Sequence, residues 1–369
     1  MPDISTIDGV AHANITTVNG VAKANIGTID GVTMPQAAAG ATLWCVVGAD
    51  GAVSTAAASD LDDWSSYVSA AMSTKDYNSV AYGKDGSGNG LWVAVNANGS
   101  KEIRYSSDPT NTTGWSNINP AATMVGVSWG NDVWVAVGAS GNVYRSTTGT
   151  SGWSLLDLSG VTGWASDVTI YEVVNDGAGK LMFAQGMNVF LSTDDAATWT
   201  RVVDFSDNLT GYTAYTMAYT DSRWSVFMRK TGQSRIMHAA AADTSTWTAA
   251  TAAGSAATGN ALINSAARRM AAAAGTVIIA AANDISRSTD GGQDWTKENN
   301  VLPRTDVRDL ATDGNGVWLA VFDSGRVAYN TNDGTGNWTE QTGGQLTFPD
   351  SGNNVENLDA VAADVFLPL

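Results

Sequence analysis

The sequence predicts an all-β protein: a seven-bladed β-propeller closed by a C-terminal strand and preceded by a short β-repeat arm. Three observations carry that prediction. Seven tryptophans, Trp64, Trp115, Trp153, Trp199, Trp247, Trp295 and Trp338, recur at spacings of 51, 38, 46, 48, 48 and 43 residues. Before each lies an apolar strand, a turn, a second strand and a polar loop, which is the content of a propeller blade of about 40–50 residues. The last residues also repeat the opening strand that the first copy lacks, and a ring left open would expose two unpaired edges.

Residues 1–35 form the predicted arm. Ile4, Ile15 and Ile26 each open a unit of the pattern I-x-T-[IV]-[DN]-G-V, with a period of 11. Asp8-Gly9, Asn19-Gly20 and Asp30-Gly31 favour tight turns with positive φ. Each unit therefore reads as two very short β pieces around a turn, too small to bury its own Ile and Val without a neighbour. Residues 36–41, rich in Ala and Gly, read as a linker, and 42–369 as the propeller.

Within the propeller, second strands are clearest in the apolar runs from Leu43, Leu91, Val133 and Val317, and weaker from Leu181, Arg223 and Val277. First strands are predicted at Tyr77–Gly83, Met124–Gly130, Asp167–Val174, Thr213–Thr220 and Asp306–Asp313. Turns such as Asp85-Gly-Ser-Gly, Asp176-Gly-Ala-Gly and Asp313-Gly-Asn-Gly end them. Residues 357–364 resemble such a first strand and are expected to complete the N-terminal blade. Trp44, Trp92, Trp134, Trp224 and Trp318 begin second strands and Trp129 ends a first strand. Packing between blades explains these and leaves Trp164 alone.

Composition narrows the function. Thirty-six acids against 19 bases give a formal net charge of −17. That balance argues against binding a nucleic-acid backbone and against docking on anionic lipid. The single cysteine, Cys45, excludes an internal disulfide and a Cys-based zinc cluster, and in the run LWCVV it reads as a buried small hydrophobe. No metal and no cofactor is expected. The first residues do not read as a signal peptide, and no apolar window is long enough to cross a bilayer. Synthesis in a reducing compartment, with release by lysis or a non-classical route, is expected.

Ser288-Thr-Asp290-Gly-Gly292-Gln-Asp-Trp295 fits S-x-D-x-G-x-x-W in full, and the segment with Ser192, Asp194 and Trp199 fits except for its glycine. The Asp can accept backbone N–H bonds inside the turn, the Gly can take positive φ, and the Trp can fold back over the hairpin. These residues staple a turn and form no catalytic constellation. The pattern resembles Asp-box (BNR-repeat) β-propellers. That family includes sialidases, sorting-receptor ectodomains, photosystem assembly factors and virion-borne binding proteins. The Arg-Ile-Pro signature of sialidases is absent, so their activity does not carry over. The N-terminal units resemble the I-x-x-I-[DN]-G-V arrays of phage virion proteins.

The resemblances imply a non-enzymatic phage virion structural protein, a tail fibre, appendage or decoration, made in the host cytoplasm. The arm would join other virion proteins through residues 1–35 and favour a homo-oligomer. The propeller would present a face to a host surface glycan or a protein. The loops joining second to third strands, and fourth strands to the next blade, would form that face. Trp164 and Tyr212 are the leading contacts there, with Asn98, Asn142 and Asp323 beside them. A glycan hydrolase or lyase on the same fold, or a cellular scaffold or assembly factor, is the alternative. His238 with Asp243 and Ser245 could form a Ser-His-Asp site only if the fold brought them together. Residues 84–90 faintly resemble a calcium loop but lack its D-x-D spacing and closing Glu, so a hairpin turn is expected there. His12, in the arm, reads as solvated.

Overall fold

The computed structural model describes residues 42–68, 72, 75–96, 101–207, 209–252, 269–342, 345–346 and 358–364, together with six short strands nearer the N-terminus. The chain divides into two compact units, residues 1–39 and 40–369. In the first, Thr6–Ile7 pairs antiparallel with Val10–Ala11, Thr17–Val18 with Val21–Ala22, and Thr28–Ile29 with Val32–Thr33. The period of 11 thus becomes three two-stranded hairpins. Among the described residues no hairpin pairs with another.

The second unit is a seven-bladed β-propeller. The innermost strands of blades 1 to 7 are Leu358–Ala363, Tyr77–Lys84, Met124–Gly130, Ile170–Asn175, Thr213–Thr220, Met270–Ala273 and Val307–Thr312. From each, three further antiparallel strands step outward. Blade 1 takes its inner strand from the C-terminal end, with Val361 opposite Val46 and Ala363 opposite Trp44. The ring is therefore closed by pairing, and the second strand of blade 1 is not left as an edge.

Asp364 shows how closely this closure copies an intact hairpin. In blade 2 the Asp85 carboxylate accepts the N–H groups of Ser87 and Asn89, at 2.8 and 2.9 Å. Asp176 and Asp313 do the same in blades 4 and 7. Asp364 holds the equivalent place in blade 1 and accepts the N–H groups of Thr42 and Leu43, at 2.7 and 2.8 Å. The four aspartates do one job, and at Asp364 the bond joins segments from opposite ends of the ring. The Asp85 turn is a plain hairpin whose carboxylate is occupied by backbone donors.

Cores lie between adjacent blades. Second-strand residues alternate, one set packing against each neighbouring blade. Trp44, Trp92, Trp134, Trp224 and Trp318 are all buried there, together with Trp295 of the turn motif. Burying an indole of that size is worth about 3–5 kcal/mol against Ala. Cys45 is also buried, and burial pushes its thiol up.

Two features of blade 6 differ from the expectation. Its inner strand, Met270–Ala273, is an alanine-rich piece with no Asp-Gly turn behind it, so the sequence did not mark it. Its sheet also has a fifth strand. Thr251–Ala252, following the last strand of blade 5, pairs in parallel with the outer strand of blade 6, Thr251 against Asp294. That segment covers an edge otherwise open to another chain.

The tryptophan turns have the geometry that their spacing suggested. Ser288 Oγ accepts the Gly292 N–H and donates to Asp290 Oδ1. Asp290 Oδ1 accepts the N–H groups of Gln293 and Asp294, both at 3.0 Å, and Trp295 Nε1 donates to the Gly292 carbonyl. Ser192 and Asp194 repeat the pattern before Trp199, with Ala196 at φ 60 where Gly292 has φ 92. Blade 3 has a version that departs from the S-x-D-x-G-x-x-W pattern. There Ser146 Oγ accepts the Gly149 N–H and Trp153 Nε1 donates to the Gly149 carbonyl. Thr148 stands where Asp stands elsewhere.

Candidate functional site in the central channel

Each inner strand except that of blade 6 carries a register shift near its start. In blades 1, 2, 3, 5 and 7 the residue that resumes pairing after the shift, in blade 4 the residue just before it, and in blade 6 the residue just before the strand hold equivalent places, and in four blades the next N–H bonds the preceding blade. Aligning the strands on this feature gives one ring of equivalent positions: Ala360, Ser79, Gly126, Glu172, Thr216, Arg269 and Asp309 for blades 1 to 7. Side chains in this ring bind the next blade. Ser79 Oγ accepts the Val127 N–H, Glu172 Oε2 that of Met217, Thr216 Oγ1 that of Met270, and Asp309 Oδ2 that of Val361. Four blade junctions are thus fastened by the same bond made with four different side chains.

Gly126 has no side chain to offer. A Cβ there would fall 2.7 Å from the Tyr171 carbonyl oxygen, so the backbones of blades 3 and 4 approach too closely for one. The carbonyls at this gap are taken from across the ring. Arg269 of blade 6 donates to Tyr171 O at 3.1 Å and Val125 O at 3.5 Å. The same guanidinium lies 3.5 Å from Glu172 Oε1 and 3.9 Å from Asp309 Oδ1.

One cation therefore faces two buried carboxylates. Burial pushes the Asp309 carboxyl up to about 7 against the pull of Arg269, with nearby Glu172 adding to the rise. Burial also raises Glu172, partly offset by Arg269 and by its bonds from Thr216 and Met217. Beside these groups the channel holds a cavity of about 220 Å³, lined also by Ser79, Ser128, Asn175 and Tyr219. A polar cavity with perturbed titratable groups is where ligand chemistry is first sought. Among the described residues, no group of three or more His, Cys, Asp or Glu is placed to hold a metal.

The structure gives the sequence-derived candidates other work. Trp164 is half-buried and meets Phe183 and Phe190 edge-on, at 6.4 and 6.3 Å between centroids. Tyr212 is only 5% exposed, its hydroxyl bonds Gln233, and Lys230 lies 4.7 Å from its ring. Trp164 packs against the core between blades 3 and 4, and Tyr212 lies in the core between blades 4 and 5. Asn142 donates to the Ala139 carbonyl within its own turn, and Asp323 pairs with Arg308. Asn98 and the His12 side chain lie outside the described residues. Asp243 accepts the Ser245 hydroxyl and backbone N–H in a local turn. His238 stands one strand away with its Nδ1 unpartnered, and no triad forms.

The channel residues were missed because they are spread over blades 2 to 7. Their signal is a polar residue followed by Val, Leu or Met at or just before the start of five of the seven inner strands. It becomes visible only when the blades are stacked on one another.

Fold and channel define the chain as a seven-bladed β-propeller with a charged axial site. Within that class, the model of the DUF6242 beta propeller domain matches residues 193–359. The sequence matches no curated protein. Among solved structures it is similar to the GH74 xyloglucanase from Xanthomonas campestris, with a TM-score of 0.58 and 13% identity, over 82% of this chain and 52% of that one. It is also similar to YCF48 bound to D1 peptide, with a TM-score of 0.52 and 14% identity, over 73% and 82%. YCF48 from Cyanidioschyzon merolae gives 0.51 and 11%, over 76% and 87%. At these identities the likeness is one of fold.

Proposed function

We propose that the protein is a non-enzymatic binding propeller carried on an assembly arm, of the kind found as virion appendages. The observation that carries this reading is the array of three hairpin repeats at the N-terminal end of a closed ring. Isolated two-stranded hairpins are marginal in water. Repeats whose described strands pair only within themselves gain stability from a neighbouring surface, whether an equal copy or another virion protein. The tryptophan turns serve as Asp-box staples, which leaves the outward loops free to vary. Those loops would meet a host glycan or a protein.

The test is to delete residues 1–35 and measure solution mass and incorporation into particles. Loss of oligomer mass and of incorporation, with the propeller still folded, is the expected outcome. Unchanged mass and incorporation would reject the assembly role.

The same fold also hosts a hydrolase, as the xyloglucanase illustrates, and fold does not decide function. Asp309 and Glu172 are a carboxylate pair, as glycoside hydrolysis requires. Both already bind backbone N–H groups of neighbouring blades, which favours a fixed structural or binding role. Reducing-end release from a polysaccharide panel, abolished in Asp309→Asn, would establish the hydrolase reading instead.

A further inference from the structure

We propose that the central channel is a binding site for a primary ammonium group, entering from the face of the hairpins that join first to second strands. The proposal stands apart from the virion reading and survives its failure.

Charge balance at the axis is the first ground. Two carboxylates share one guanidinium. Glu172 is fully engaged, with Oε2 accepting from Thr216 Oγ1 at 2.6 Å and Met217 N at 2.9 Å, and Oε1 facing Arg269. Asp309 is not. Its Oδ2 accepts the Val361 N–H at 3.0 Å, the Leu310 N–H also faces the carboxylate, and its Oδ1 lies 3.9 Å from Arg269 Nε, beyond hydrogen-bond reach. The residue is 9% exposed. A buried carboxylate that shares its one counter-ion is costly to keep charged, and either a proton or an external cation relieves it. Its raised affinity for a proton is the same deficit seen from the other side.

Space is the second ground. The 220 Å³ cavity beside Asp309 far exceeds the ~10–15 Å³ that one water needs. Its lining descends from the ring of equivalent positions to Ser128, Asn175 and Tyr219, near the far ends of their strands. Above the ring, Arg269 spans to the carbonyls of blades 3 and 4. The passage therefore leads toward the face of the first-to-second hairpins.

The field is the third ground. The first-to-second connections on that face hold six aspartates: Asp85, Asp132, Asp176, Asp221, Asp313 and Asp364. The third-to-fourth connections on the same face hold eight more, and Lys180 is the one basic residue in both sets. Fixed charge of one sign around a narrow entrance concentrates counter-ions.

The donor pattern selects the ligand. An ammonium carries three donors on a compact charge. Asp309 Oδ1 can take one, and the hydroxyl oxygens of Ser79 and Ser128 line the same space. A guanidinium needs a planar, bidentate partner, which a carboxylate with one oxygen already bonded to the Val361 N–H does not give. A quaternary ammonium has no donor.

The experiment titrates the full chain by calorimetry with methylammonium and butylammonium chloride at pH 8 and fixed ionic strength, with sodium and tetramethylammonium chloride as controls. Saturable heat from methylammonium is expected, absent from both controls and lost in Asp309→Asn. Butylammonium separates a chain end, which should bind as well, from a free small amine, for which only methylammonium should bind; either outcome supports the site. Because a proton competes for Asp309, whose charged surroundings are Arg269 and Glu172, wild-type affinity should fall more than tenfold between pH 8 and pH 5.5. That measurement needs no variant. Equal heats from tetramethylammonium or sodium, affinity unchanged between the two pH values, or no saturable heat at all would overturn the proposal and leave a water-filled channel.

Discussion

Gly292 illustrates how much one residue fixes. It sits at φ 92, and a Cβ on it would fall 2.0 Å from Ser225 Oγ of the adjoining blade. Ala196 occupies the equivalent place in blade 4 at φ 60, so the left-handed backbone alone is tolerable. The clash is what distinguishes Gly292. Gly292→Ala is expected to destabilise by about 2–3 kcal/mol, adding overpacking to αL strain. A lowered urea midpoint with unchanged slope would show it. Asp309 gives the second residue-scale prediction. Its folded-state affinity for a proton is raised, so its contribution is fully present below about pH 4 and lost as pH rises through about 7. Glu172 acts in the same direction. His238 opposes them, since burial and then Arg223 hold it below its ordinary value and its contribution grows with rising pH. Asp194 and Asp290, held low by hydrogen bonds from their turns, act only below about pH 4. The clean measure is therefore a difference. The stability of wild type minus that of Asp309→Asn should fall between pH 4.5 and 7.5, by up to about 1.4 kcal/mol per unit where the slope is steepest. A flat difference would mean that Asp309 keeps an ordinary carboxylate affinity.

At the scale of the strand, Asp364 is the informative position. Asp364→Ala removes two bonds to backbone N–H groups, a loss of about 1–3 kcal/mol. Asp85→Ala removes the same chemistry from a hairpin that the chain itself holds shut. The two variants should differ in hydrogen exchange. Amides of Leu358–Ala363 should lose protection in Asp364→Ala, while Tyr77–Lys84 should keep its protection in Asp85→Ala. Equal effects would mean that closure rests on the ladder alone. Asp364 was legible in the sequence because it repeats the Asp that ends other inner strands. The second strands were legible too, since apolar runs opening on Trp have few other readings. Met270–Ala273 was not, because alanine carries little strand preference and no Asp-Gly turn marks its end. The parallel strand Thr251–Ala252 was not, because two residues hold no periodicity. Trp164 looked free in the sequence only because no repeat accounted for it, and the structure fills that gap with Phe183 and Phe190. Arg269 and Asp309 became a site through stacking of blades, a relation that no local window contains.

For the molecule as a whole, closure decides whether seven sheets unfold as one. Each core lies between two blades, so a blade with one neighbour loses half its packing. The inner strand of blade 1 touches both sides of the ring: the Val361 N–H donates to the Asp309 carboxylate of blade 7, while Ala360 packs among Tyr77, Trp92 and Trp115 of blade 2. Deleting residues 358–369 should therefore cost far more than five ladder pairs, and should convert one cooperative unfolding transition into a broad one, as expected of a stack with free ends. The deletion removes sequence and closure together, so a permuted chain is needed to part them. Placing residues 358–364 directly before residue 42, joined by the Gly-Ser-Gly of the Asp85 turn, would supply the same strand as an ordinary hairpin. Ring closure would then run between blades 7 and 1 without the terminal crossing. If pairing of this strand is what closes the ring, the permuted chain should recover a single sharp transition at or above the wild-type midpoint by calorimetry. If it stays broad, the covalent order of the blades matters to the ring as much as the contacts do.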